Sequence, residues 1–173
     1  MKIIFQALAH YNQSVNESMR EILTGLSKDQ LFNETKAFYR SIYDTCIHLL
    51  QSDIFWLKRY KAVYPDNDNL KNNELLLMDV ENIRKEFESD YKKIFETQKK
   101  TDILAEQFIN DLTEENYTQA FQYTNYKGVT TERIVWKTLL HWFNHQTHHR
   151  GQISAFLDIM GVKNDYSSLL PRI

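Results

Sequence analysis

The chain has 173 residues with four glycines and two prolines, where an average composition would supply roughly twenty of the pair. So few backbone breakers leave no turns for a β-sandwich or barrel and no βα loops for a parallel sheet, so an all-α architecture of a few long helices remains. A net charge of −2 removes any general attraction to nucleic acid or an anionic membrane, and the single cysteine, Cys46, excludes an internal disulfide framework and fits a reducing compartment.

Lys2, a short apolar patch and Ala7-Leu8-Ala9 imitate a signal peptide. Gln6 interrupts the patch before it reaches the usual length of about 7–15 residues, and no apolar run approaches the ~18 residues of a membrane span. A cytoplasmic location is the expectation. From Ile3 to Leu26, Ile4, Phe5, Leu8, Tyr11, Val15, Met19, Ile22, Leu23 and Leu26 recur in steps of three and four, the period of a helix. Gly25 and Ser27 close it, and Ser27-Lys28-Asp29-Gln30 forms a capping-box pattern. Leu31 to Arg40 reads as a loop. Ser41 caps a second helix to about Tyr60, and Tyr64-Pro65-Asp66-Asn67-Asp68-Asn69 breaks the chain.

Leu75 to Met78 is an entry to the third helix or a short connector. That helix is expected from Asp79 to about Asp111, with Val80, Ile83, Phe87, Tyr91, Ile94 and Phe95 inward and mixed Lys and Glu on a solvated face. Tyr117 to Val129 alternates loosely and can hold a short extended or hairpin segment. Thr130 or Thr131 opens a long fourth helix ending at Met160, with Gly161 as its C′ residue. No repeat or linker suggests a second unit, so residues 1–173 read as one four-helix bundle with longer connections.

Four of the six histidines, His141, His145, His148 and His149, fall in nine positions of the fourth helix. At about 100° per residue, His149 lies near 40° from His145, within the stripe of Ile134, Val135, Thr138, Trp142, Ile153, Phe156 and Met160. His141 and His148 fall at the stripe's edge. Two imidazoles at i and i+4 on one helical face can chelate a divalent metal, although two hydrogen-bonded core histidines would satisfy the same spacing. Gln146 stands where a zincin hydrolase would carry its glutamate base, which argues against that class. Of the remaining histidines, His10 has no assigned role. His48 lies on the side of its helix shared with Asp44, Ser52, Phe55 and Arg59, as either a rim ligand or an ordinary surface residue.

The segment His141-Trp-Phe-Asn-His145-Gln-Thr-His-His149-Arg150-Gly151-Gln152-Ile153 resembles the H-x-x-x-H-R-G-Q-I signature of the DinB-like (YfiT-like) family of helical-bundle metalloproteins. Ile47-His48, followed eight residues later by Trp56, resembles the family's second-helix motif, and Tyr11-Asn12 with Asn16 its first-helix Y-N-x-x-x-N pattern. The resemblance covers nearly the whole chain. It implies His48, His145 and His149 as metal ligands, with His148 as a residue supporting the ligands or lying at the edge rather than a fourth ligand. The stretch Glu34 to Arg40 departs from the Gly/Ser-rich loop common in the family, so the rim of the site differs here.

Three neutral imidazoles leave coordination positions free, as a catalytic rather than a structural metal requires. Zn²⁺ and Ni²⁺ both suit them. The resemblance implies a thiol-dependent S-transferase or a metal-dependent hydrolase acting on a small molecule, with a low-molecular-weight thiol as cosubstrate in the first case, and a homodimer. A non-catalytic metal-binding or dimeric stress-response bundle is the alternative. Asp44 and Ser52, one turn either side of His48, are candidates to orient it or contact a metal-bound water, or else stand as solvent-exposed helix residues. Arg150 is placed to pair with an acid of a neighbouring helix or to lie exposed, and Trp56 and Trp142 to line a pocket or the core. Gly151, which costs about 1 kcal/mol inside a helix, predicts a close helix or subunit approach.

Overall fold

A computed structural model describes residues 1–125 and 127–173. Four long helices dominate: α1 (Lys2–Gly25), α3 (Ile42–Val63), α5 (Lys93–Asp111) and α7 (Val135–Ile159). Short helices α2 (Lys28–Phe32), α4 (Ile83–Glu86) and α6 (Glu114–Thr118) occupy the connections. Both α1 and α3 pack on α5 and α7, so these two consecutive long helices lie across the bundle from one another. The all-α architecture expected from the scarcity of breakers is the one found.

The helix ends follow the sequence chemistry. Ser27 Oγ accepts from the Gln30 amide at 3.2 Å while Gln30 Oε1 accepts from the Ser27 amide at 2.9 Å, completing the capping box. That box starts α2, so the first residues of the expected 31–40 loop are helical. Ser41 Oγ accepts from the Asp44 amide at 3.0 Å and opens α3, which then presents His48 a turn and a half inside the bundle. At the end of α7, the Gly161 amide donates to the Asp158 carbonyl and the Val162 amide to the Leu157 carbonyl at 2.9 Å. This paired closure needs a left-handed residue, and Gly161 supplies it at φ +71°.

The bounds of the third and fourth helices require correction. The third helix does not run from Asp79. Val80–Asn82 is a 3₁₀ turn, α4 ends at Glu86, and α5 begins only at Lys93. The apolar positions remain buried at Val80, Ile83, Phe87, Ile94 and Phe95, so periodicity reported the core side correctly. The break comes from side chains competing for backbone donors: Asp79 Oδ1 accepts from Glu81 and Asn82 amides, and Asp90 Oδ1 from the Lys92 amide.

The fourth helix starts late. Thr130–Ile134 forms strand β2, paired antiparallel with β1 (Ala120–Thr124), and α7 begins at Val135. The β-branched run Val129-Thr130-Thr131 prefers a pleated backbone to a first helical turn. The hairpin foreseen in 117–129 therefore extends to Ile134. It lays Tyr123 against Trp56, ring centroids 5.6 Å apart, and Phe121 against Tyr60 at 6.0 Å. This contact makes the hairpin one wall of a groove alongside α3. Ile4, expected to face inward, is 60% exposed with its neighbour Ile3.

Candidate metal centre

Three imidazoles meet where α3 crosses α7. His48 Nε2 lies 2.9 Å from His145 Nε2, and His149 Nε2 lies 3.0 Å from the same atom. All three donor atoms are within 4.8 Å of one another. Sequence spacing places His145 and His149 one turn apart on α7, and helix packing brings up His48 from 97 positions away. His149 is buried and the other two are half-buried.

Burial holds all three in the neutral form. It pushes His48 down to about 4 and His145 down to about 3, with mutual repulsion adding to the effect, and lowers His149 against a hydrogen bond to Gln152 that raises it. His149 Nδ1 lies 2.7 Å from Gln152 Oε1, which has only lone pairs to offer. Nδ1 is therefore the protonated nitrogen, and Nε2 turns a lone pair toward the other two rings.

These residues fit a divalent ion. A proton on His145 Nε2 can serve only one of its two neighbours well, whereas a cation between the rings takes a lone pair from each. Metal–nitrogen bonds of about 2.0–2.1 Å in a tetrahedral site separate donors by roughly 3.3 Å, so the observed 2.9 and 3.0 Å need widen only by a few tenths.

Tyr39 covers one side of the cluster. Its ring stacks on His48 with centroids 4.4 Å apart and planes 23° from parallel, and meets His149 edge-on at 5.3 Å. Tyr39 belongs to the stretch of 34–40 that precedes α3. The other side opens into a groove of about 1290 Å³, which includes His48, His145, Ser52, Trp56, Tyr123 and His141 in its lining.

Asp44 is bound by Arg84 across to α4, with no hydrogen bond to His48 among the described residues. Ser52 lines the groove beside His48 without bonding it. His141 and His148 are exposed at the edge of the α7 stripe, as their wheel positions predict. His10 lies on the exposed flank of α1, 3.1 Å from Glu106. Trp56 is both buried and groove-lining, whereas Trp142 is core. A Cβ on Gly151 would meet nothing within 4 Å, so no helix among the described residues approaches it closely.

Arg150 is neither exposed nor directly ion-paired. Its guanidinium donates to Asn12 Oδ1, to Asn16 Oδ1 at 3.1 Å and to Thr147 Oγ1 at 3.0 Å. Asn16 Nδ2 then donates to Asp102 at 2.8 Å, and Arg20 pairs with the same carboxylate. The two asparagines of the first-helix motif thus anchor the α7 arginine, and the expected acid lies one link farther on.

Sequence reasoning missed the buried carboxylates. Asp53 Oδ1 accepts from Trp142 Nε1 at 2.6 Å and from Gln146 Nε2. With only neutral donors on it, burial and the charge of Asp102 push the Asp53 carboxyl up to about 8. Gln146 is consequently turned into the bundle, away from the position of a hydrolytic base. Burial raises Asp102 to about 6 despite Arg20 and Asn16.

The sequence profile of the DinB family matches residues 1–168. No curated protein matches the chain.

Proposed function

Because this chain belongs to the DinB family, we propose that it is a divalent-metal-dependent enzyme acting on a small molecule, as a thiol-dependent S-transferase or a hydrolase. The observation that carries the proposal is the convergence of His48, His145 and His149 Nε2 atoms at the end of an open groove. When bound, a Zn²⁺ or Ni²⁺ ion there supplies the Lewis acidity that generates a hydroxide or thiolate nucleophile near neutral pH. Gln152 holds the tautomer of His149, burial keeps the trio unprotonated, and Tyr39 restricts approach to the groove side.

One feature favours thiol transfer over hydrolysis. Gln146, next to His145, and Asp44, one turn before His48, are engaged by Asp53 and Arg84 rather than placed as a base. Cys46 is buried in the core with its thiol pushed up to about 12 by burial, so the attacking sulfur comes from solution. The proposal further includes a homodimer and a cytoplasmic location, with no role for nucleic acid. No helix among the described residues is long and apolar enough to cross a membrane.

Metal analysis of protein purified without a His tag tests the site: about one divalent ion per chain is expected, lost in a His145→Ala/His149→Ala variant that stays helical by circular dichroism. Undiminished metal in that variant defeats the ligand assignment. Full metal without metal-dependent turnover of thiol and electrophile pairs favours the non-catalytic alternative.

A further inference from the structure

Arg59 lies on the groove side of α3, eleven positions beyond His48, and is half-buried. Its guanidinium carbon sits 4.4 Å from the Tyr123 ring centroid, 4.7 Å from Trp56 and 5.7 Å from Phe55. Among the described residues it makes no ion pair and no hydrogen bond. The neighbouring cation is otherwise engaged, since Lys58 Nζ donates to the Met78 carbonyl at 2.7 Å. Glu81 is the carboxylate in the groove lining, and it forms no ion pair with Arg59.

This is an unusual place to leave a guanidinium. Its desolvation is unfavourable, and burial lowers its pKa. The ring contacts recover part of that cost but use none of its five N–H donors. Those donors match a carboxylate in a two-pronged arrangement better than any other side chain could.

The groove connects this charge to the histidines. Trp56 meets His141 at 5.8 Å and His141 meets His145 at 6.2 Å, so an aromatic wall runs from Arg59 to the trio. Eleven residues of helix span about 16 Å, and side chains lean toward the helix N-terminus, so the guanidinium stands roughly 10–16 Å from the trio.

We infer that Arg59 is the anion-binding end of the substrate groove, holding the carboxylate of an elongated small molecule whose thiol end reaches His48, His145 and His149. The inference rests on the metal-site proposal for the thiol end alone. The carboxylate end depends only on Arg59 and its rings.

Calorimetric titration of zinc-loaded protein with mercaptoundecanoate, mercaptoundecanol and mercaptopropionate tests it. The long acid should bind about tenfold or more tightly than the long alcohol, as a charge-assisted hydrogen bond implies. Arg59→Met should abolish that preference and Arg59→Lys retain part of it. Mercaptopropionate, too short to span the groove, should bind both variants like the wild type. Circular dichroism and Tm establish that the variants fold, with Arg59→Gln as the second neutral substitution.

Equal affinity for long acid and long alcohol overturns the inference, as does an acid preference that survives Arg59→Met. Undecanoate and undecanol, which lack the thiol, separate this from the metal site. An Arg59-dependent acid preference in that pair with no gain from the thiol leaves Arg59 standing and counts against the metal reading. Thiol binding lost in His145→Ala/His149→Ala without any acid preference does the reverse.

Discussion

The ring of Tyr39 lies on the ring of His48, centroids 4.4 Å apart and planes 23° from parallel. A loop residue thereby covers an imidazole carried by a helix. Aromatic pairs contribute about 0.5–1.5 kcal/mol beyond their buried area. Tyr39→Ala should therefore leave metal stoichiometry intact but raise the rate of metal loss to a chelator up to about tenfold. Stopped-flow transfer to a chromogenic chelator measures this, and a rate equal to that of the wild type would remove Tyr39 from the site.

Gln152 acts on the far side of the cluster. Its Oε1 accepts from His149 Nδ1 at 2.7 Å, fixing which nitrogen carries the lone pair. Loss of such an outer partner costs about 10–100-fold in metal affinity. Gln152→Ala should show that loss in a competition titration, with unchanged helicity. Gln152→Glu should restore affinity, because a carboxylate accepts the same bond more strongly.

How much of this was legible beforehand depended on whether the deciding interaction was local. The i, i+4 spacing of His145 and His149 fixes their shared face without reference to the rest of the chain, and Ser41 and Gly161 mark helix ends through bonds to their own neighbours. His48 was ambiguous because its meeting with His145 depends on how α3 and α7 pack. Tyr39 was invisible for the same reason, since nothing within a loop states which helix it will touch. Asp53 could have been found: Leu49, Asp53 and Leu57 repeat at four residues, which places a carboxylate inside an apolar stripe. The continuous third helix failed where Asp79 and Asp90 bonded backbone amides, a competition that apolar periodicity does not register.

Arg150 ties α7 to α1 through Asn12 and Asn16 and is almost completely buried. Its removal would strand two asparagine oxygens and weaken the compensation of Asp102. Breaking buried charged networks of this kind costs about 3–5 kcal/mol. Arg150→Met should lower Tm by roughly 10 °C at this chain length, yet bind metal normally at low temperature, because Arg150 touches none of the three imidazoles. Thermal unfolding and metal analysis of the same preparation separate the two effects. A variant with wild-type Tm but depleted metal would reassign Arg150 to the site.

Asp53 predicts a pH dependence of stability with a definite sign. Its ordinary value of 3.8 is pushed up to about 8 by burial, so between these limits the folded chain holds a proton that the unfolded chain has lost. The contribution is fully present below about pH 4 and is lost as pH rises toward 8. The metal-free histidines act oppositely: their lowered values make stability fall as pH drops below about 6.5. Wild-type stability alone therefore mixes the two signs, and the difference from Asp53→Asn isolates the carboxyl. Asparagine keeps an oxygen to accept from Trp142 and Gln146 and carries no titrating proton. In urea unfolding of chelator-treated protein from pH 5 to 9, the variant should gain on the wild type by up to about 1.4 kcal/mol per pH unit until about pH 8. Parallel curves would mean that Asp53 is ionised throughout, with its charge held by Trp142, Gln146 and Arg150 rather than suppressed by burial.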